Sequence, residues 1–237
     1  MTNKNYYLSI SLILTFLFIH LKVPAQSFDD EKVAMTNFVK RMYVASPFEG
    51  GKLLEGDEAS YHVVAISPIS SISKENEKKA QEIASTSFAE PFIKFEFIGQ
   101  IGNSGNLLYY CQPLSKFVKK NYLKEPFDGS RIVASPNNNY FISVVSLDPT
   151  KYTSPSLMDR VAQIKSNQQA NAIFNGTTIS SDIIITTEQN SKGVTTTSLE
   201  LIREQTMGFV KGLMALMKFD HNGKKVFVYY QSINPNN

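Results

Sequence analysis

The chain has 237 residues, 42% of them hydrophobic, with 24 Lys and Arg against 21 Asp and Glu. Setting aside the first 25 residues leaves 22 basic against 21 acidic side chains, too little excess for a domain that holds nucleic acid by neutralising phosphates, and no basic cluster is longer than a pair such as Lys119-Lys120 or Lys224-Lys225. The single cysteine, Cys111, excludes an intramolecular disulfide, so the fold rests on its hydrophobic core.

Residues 1–25 carry Lys4, an apolar run from Leu8 to Leu21, and Val23-Pro24-Ala25 with small residues at the cleavage positions. This pattern predicts a secretory signal peptide cleaved near Ala25. The exported chain, periplasmic or extracellular, then begins at Gln26. A span needs roughly 20 apolar residues, and no later segment supplies them, so no transmembrane anchor is expected in the mature chain.

Residues 38–67 return without a gap 79 positions later as residues 117–146, with nine of thirty pairs identical. The identities include Phe38/Phe117, Tyr43/Tyr122, Pro47/Pro126, Phe48/Phe127, Gly50/Gly129, Tyr61/Tyr140 and Ser67/Ser146; average residue usage gives about two by chance. The predicted fold class is therefore α+β with two tandem repeats, 26–111 and 112–237. Each repeat is a helix, a β-hairpin and a second helix packed on an antiparallel sheet, and the second repeat is the larger.

In each copy a helix comes first, marked by Met35, Phe38, Val39 and Met42 or by Leu114, Phe117 and Val118 at three- and four-residue intervals. Pro47-Phe48-Glu49-Gly50 and Pro126-Phe127-Asp128-Gly129 predict tight turns, with the phenylalanines as apolar pins. A hairpin follows, its second strand starting at Tyr61 or Tyr140. The second helix spans roughly Glu75 to Glu90 in the first copy. In the second it starts at Ser154-Pro155, with Ser as N-cap and Pro in the first turn, shows Leu157, Val161 and Ile164 on one face, and stops at Asn175-Gly176.

Strands are predicted at Phe92–Ile98 and Leu107–Cys111, then at Ile179–Thr187, Val194–Ile202, Phe209–Phe219 and Val226–Ile233, with Asn222-Gly223 as a hairpin turn. Residues 200–217 are also compatible with a helix by propensity; Gly208 and Gly212 favour strand.

Residues 160–233 carry a helix with Ala162, Ala170, Ala172, Ile173 and Gly176, then Ile179-Ser180-Ser181, Gly208, and Phe227-Val228-Tyr229-Tyr230. This stretch resembles the bacterial envelope-lipoprotein family whose fold also occurs at the N terminus of flagellar assembly protein T. The resemblance implies a helix packed on an antiparallel sheet and a non-catalytic role in the cell envelope. The chain departs from the family in lacking a lipid-attachment cysteine and the glycines often found in the strand at Tyr140–Ser146.

For chemistry the sequence offers little. His62, His221 and Cys111 are far apart and form no metal-ligand spacing; His62 is Phe141 in the other copy, as expected of a packing position, and His221 reads as a turn residue. Cys111 reads as a small buried hydrophobe at a strand end. Gly-x-Ser-x-Gly is absent, and Ser67 and Ser146 read as hydrogen-bonding to local backbone. Gly50-Gly51-Lys52 lacks the spacing of a phosphate loop. In each of the pairs Tyr109-Tyr110 and Tyr229-Tyr230, strand alternation places one ring in the core and the other toward solvent. No catalytic, cofactor-binding or metal-ligating residue is assigned, and no cofactor is expected.

The expected function is that of an exported, non-catalytic protein-binding or assembly module, its partner an envelope protein. Two alternatives stand beside it. One is a carboxylate-dependent hydrolase drawing on Asp57, Glu58, Asp148, Asp159, Asp182, Glu200 and Glu204; the other is a small-ligand binder with a site between the repeats.

Overall fold

A computed structural model of the chain describes residues 28–57, 59–69, 74–101, 105–135, 138–174, 184–186 and 213–233. Among the described residues it is mixed α+β, with two sheets and four α-helices. The chain divides into a first unit, residues 1–45, and a second, residues 46–237. The first unit contributes helix α1 (Phe28–Ala45), with Met35, Val39 and Tyr43 at four-residue spacing along one stripe and the Arg41 guanidinium 5.8 Å from the Phe38 ring. Everything that follows belongs to the second unit.

Sheet 1 has β1 (Gly50–Glu55), β2 (Ser60–Ile66), β3 (Phe92–Ile101) and β4 (Asn106–Pro113) in the order β1-β2-β4-β3, all antiparallel. Helix α2 (Lys74–Ser87) covers one face through Ala80 and Ala84, which meet Val64, Ile66, Leu107, Tyr109 and Cys111. These are alternate residues of β2 and β4, as the two-residue period of a strand requires. The alanines allow a close approach, and the helix end comes closer still: a Cβ on Gly51 would lie 2.4 Å from Ser87 Cβ.

Sheet 2 has β5 (Gly129–Ala134), β6 (Asn139–Leu147), β7 (Ile184–Thr186), β8 (Met214–His221) and β9 (Lys224–Ile233) in the order β7-β5-β6-β9-β8. Only β7, beside β5, is parallel to its neighbour. Helix α3 (Leu114–Lys124) lies on one face, where Leu114, Val118 and Tyr122 meet Ile142, Val144, Val226 and Val228. Helix α4 (Pro155–Phe174) lies on the other, against Ile132, Phe141, Val145, Phe227 and Tyr229. Burying both faces removes apolar area from water twice over, the main favourable term in the fold.

The two hairpins share one register at the 79-residue spacing. Gly50 faces Ala65 and Glu55 faces Ser60; Gly129 faces Val144 and Ala134 faces Asn139. Gly50 and Gly129 have φ of +93° and +133°, with open space where a Cβ would stand, so backbone conformation sets the requirement for glycine at both turns. Lys52 Nζ lies 5.2 Å from the Phe48 ring, and Arg131 Cζ lies 4.6 Å from Phe127. The edge strands match as well. A bulge interrupts β3 between Phe97 and Gly99, opposite Tyr109 and Leu108, and another interrupts β8 between Ala215 and Met217, opposite Tyr229 and Val228.

Four expectations change on contact with the structure. The buried face of α4 runs through Met158, Ala162, Ser166, Ala170 and Ile173, while Leu157 and Ile164 are 43% and 49% exposed. Small side chains let this helix sit close to the sheet, and Ser166 is satisfied there by Ser143 Oγ at 2.7 Å, so of the expected stripe only Val161 packs against the core. Second, neither tyrosine pair has a solvent-facing ring. Tyr109, Tyr110 and Tyr229 are buried and Tyr230 half-buried, with Tyr110 edge-on to Tyr61 and Tyr230 edge-on to Tyr140. Third, Cys111 lies inside β4 as a buried residue, two positions short of its end. Fourth, His221 is the last residue of β8, its ring 5.4 Å from Tyr122, and the turn is Asn222-Gly223, both at positive φ.

Helix α4 starts as read, with Leu157 N donating to Ser154 Oγ at 3.2 Å. Of the strand expected at Ile179–Thr187, residues 184–186 are described and form β7. Val194–Ile202, Asn175-Gly176 and residues 200–212 lie outside the described residues, and Leu213 to Met217 lead into and form part of β8. Among the described residues no helix is long and apolar enough to cross a membrane.

Candidate functional site

Two places in the second unit gather polar chemistry, and the first is centred on His62 in β2. Pairing with β4 fixes the backbone of His62 opposite Cys111, and the rings of Phe88 and Phe92 close on the imidazole edge-on at 4.7 and 5.5 Å. Its Nε2 lies 3.2 Å from Glu90 Oε1, and Ser115 Oγ donates to the other carboxylate oxygen, Glu90 Oε2, at 2.5 Å. Desolvation pulls the imidazole below its ordinary pKa; the Glu90 charge opposes that pull and the Lys116 charge adds to it. The contact is therefore a close approach of an imidazole to a carboxylate in which burial disfavours the charged imidazole.

This His, carboxylate and Ser grouping has its members in the wrong order for nucleophilic catalysis. The carboxylate stands between the imidazole and the hydroxyl, so Ser115 gives its hydrogen bond to Glu90 and not to the imidazole. What the geometry does is fasten the α2–β3 connection to β2 and to the start of α3, where Leu114 N also donates to Pro91 O at 2.8 Å. Glu90 lies 28 positions from His62 in sequence, and only the strand pairing brings them together.

The repeated serines find side-chain partners instead of local backbone. Ser67 Oγ donates to Glu49 Oε1 at 3.1 Å; at the equivalent place Ser146 N donates to Asp128 Oδ1 at 3.1 Å, and Ser146 Oγ meets Tyr122 OH at 3.2 Å. Each is a clasp between an acid in the turn and a serine 18 positions on, and the charge kept at Glu49/Asp128 was the signal for it. Cys111 is fully buried, and its thiol is pushed up to about 12 by that burial, which removes it from thiolate chemistry.

The candidate carboxylates among the described residues do not converge. Asp148 accepts from Thr150 N and Oγ1 at 3.0 and 2.7 Å, capping the 3₁₀ turn at Pro149–Lys151, and Asp159 lies 3.6 Å from Lys218. Glu58, Asp182, Glu200 and Glu204 lie outside the described residues. Among the described residues no three of His, Cys, Asp and Glu come together as a metal site would need.

The second place is a groove of about 610 Å³ between α4 and the β8–β9 ribbon. Helix α4 covers β5, β6 and β9 but stops short of β8, the edge strand among the described residues. Leu213, Ala215, Phe227 and Tyr229 line the groove from the sheet, and Asp159, Arg160 and Gln163 from the helix. Lys218 reaches over to Asp159, and the Tyr229 hydroxyl donates to Asp159 O at 3.5 Å. Burial and the nearby Asp159 charge raise the Tyr229 phenol, which stays protonated as a donor. Sequence reasoning missed the groove because its walls come from two elements about sixty residues apart in the chain.

Compared with known proteins, the chain matches no protein-family model, no curated protein and no solved structure.

Proposed function

We propose that this is an exported, non-catalytic module built from two tandem repeats, which binds a protein partner along β8. The observation that carries the binding reading is the placement of the groove. It runs beside a sheet edge that, among the described residues, has no strand on its outer side, and Met214 and Ala215 at its start are exposed. An exposed edge presents unpaired N–H and C=O groups, and a groove next to it takes the side chains of an added strand.

The common hairpin register, the paired turn glycines and the two matching bulges support descent of both halves from one unit. The leader-like first segment supports export. The hydrolase alternative draws no support from Asp148 and Asp159, which among the described residues serve a turn cap and an ion pair. The groove's volume lies within the range of small-molecule sites, but it opens along a strand edge, which favours an extended polymer over a compact ligand.

Site-specific photo-crosslinking in the native envelope fraction tests this. A crosslinker at Ala215 should give one discrete adduct that a crosslinker at the exposed Lys151 does not. Equal labelling from both positions, or none from Ala215, defeats the reading.

A further inference from the structure

Resting on the β8 reading, we infer that the groove is built for an extended peptide segment bearing a carboxylate, which Arg160 receives. The argument begins with the charges. Three charged groups line the groove, and two of them cancel: Lys218 Nζ is 3.6 Å from Asp159 Oδ1. That leaves the Arg160 guanidinium, on an exposed residue of α4, with no described carboxylate paired to it. A guanidinium is the side chain best shaped to take a carboxylate through two parallel hydrogen bonds.

The apolar part fits the same occupant. Ala215 is small and exposed, so the sheet-side wall is lowest where a strand added to β8 would place a side chain toward α4. Phe227 and Tyr229 form the apolar floor. In an antiparallel ladder alternate residues direct their backbone groups to the same edge, so β8 offers such groups on its outer side. An incoming strand satisfies them while every second side chain enters the groove. The occupant is thus extended, apolar at alternate positions, and acidic where it passes Arg160.

A random peptide library selected on the purified protein tests this, with amide hydrogen exchange across Met214–His221 measured with and without the enriched peptides. The unliganded edge should exchange freely at its outward positions. Enriched peptides should share an acid within an alternating apolar pattern and protect β8. Their affinity should fall by about tenfold or more in Arg160→Glu and return when the peptide's acid is changed to Lys. Ala215→Arg, which fills the groove from the sheet side, should also lose binding while helical content is unchanged in both variants. Peptides that protect β8 but bind Arg160→Glu equally well overturn the carboxylate assignment and leave the protein-binding edge standing. Protection elsewhere, no enrichment, or a β8 already fully protected without peptide overturns both, the last because the edge is then occupied by the chain itself or by a second copy.

Discussion

Strands β3 and β8 hold the same position in the two sheets, each at the edge and paired to the strand that also pairs with its hairpin, and each with a bulge facing the equivalent tyrosine. Their surroundings differ. Residues 88–91 alone connect α2 to β3, so the helix end, the His62–Glu90–Ser115 clasp and the start of β3 form one fastened corner. Residues 175–213 separate α4 from β8, and β7 lies within that stretch. Among the described residues a groove lies between α4 and the β8–β9 ribbon. Among the described residues both are edge strands, one beside a short connection and the other beside a long one.

Equivalent positions in the two sheets can be exchanged or emptied to sharpen that comparison. The largest effect is expected at Phe141, fully buried and 5.0 Å from the Phe174 ring, against its counterpart His62 at the half-buried corner. Phe141→Ala should cost about 3–5 kcal/mol, and His62→Ala clearly less, by chemical denaturation of the purified protein. Equal losses would mean that the two sheets bury this position alike.

Next comes Gly51, whose counterpart is Ser130. Gly51→Ala places a Cβ 2.4 Å from Ser87 Cβ and 3.1 Å from Phe88 Cε2, so a loss of about 1–3 kcal/mol is expected. Ser130→Ala should stay within about 0.5 kcal/mol. A tolerated Gly51→Ala would show that the corner is not closed by contact. Smaller again are Glu49→Ala and Asp128→Ala, each removing one exposed clasp for about 0.5 kcal/mol. Losses differing severalfold would break the equivalence of the two turns.

The smallest effect concerns pH. Burial lowers the His62 pKa in the folded chain below the ordinary 6.5, so on acidification the unfolded chain takes up the proton first. The stabilisation is complete above about pH 6.5 and is lost as pH falls from there toward the lowered value. His62→Phe, which installs the residue found at position 141, should flatten that part of the stability-against-pH curve. An unchanged slope would assign it to other groups.

Much of this architecture was legible because it is local. The shared Pro, Phe and Gly fixed both turns, the 79-residue spacing anticipated a common hairpin register, and Ser154-Pro155 marked the start of α4. What escaped was set by distant surfaces. The face α4 buries is chosen by how closely Ala162, Ser166 and Ala170 let it approach β6, which a search for large apolar residues does not weigh. Both rings of each tyrosine pair are covered because neighbouring elements close on both faces of β4 and β9. The groove depends on where α4 stops across the sheet, and no residue pattern within α4 or β8 states that.

Cys111 has a practical consequence. Its thiol is fully buried and protonated at any physiological pH, so it neither exchanges with small disulfides nor alkylates at a useful rate while the chain is folded. The protein therefore behaves as though cysteine-free. A single cysteine placed at Ala215 or Lys151 would be the sole site for a maleimide or spin label, and the emergence of Cys111 reactivity in the same sample would time the opening of sheet 1.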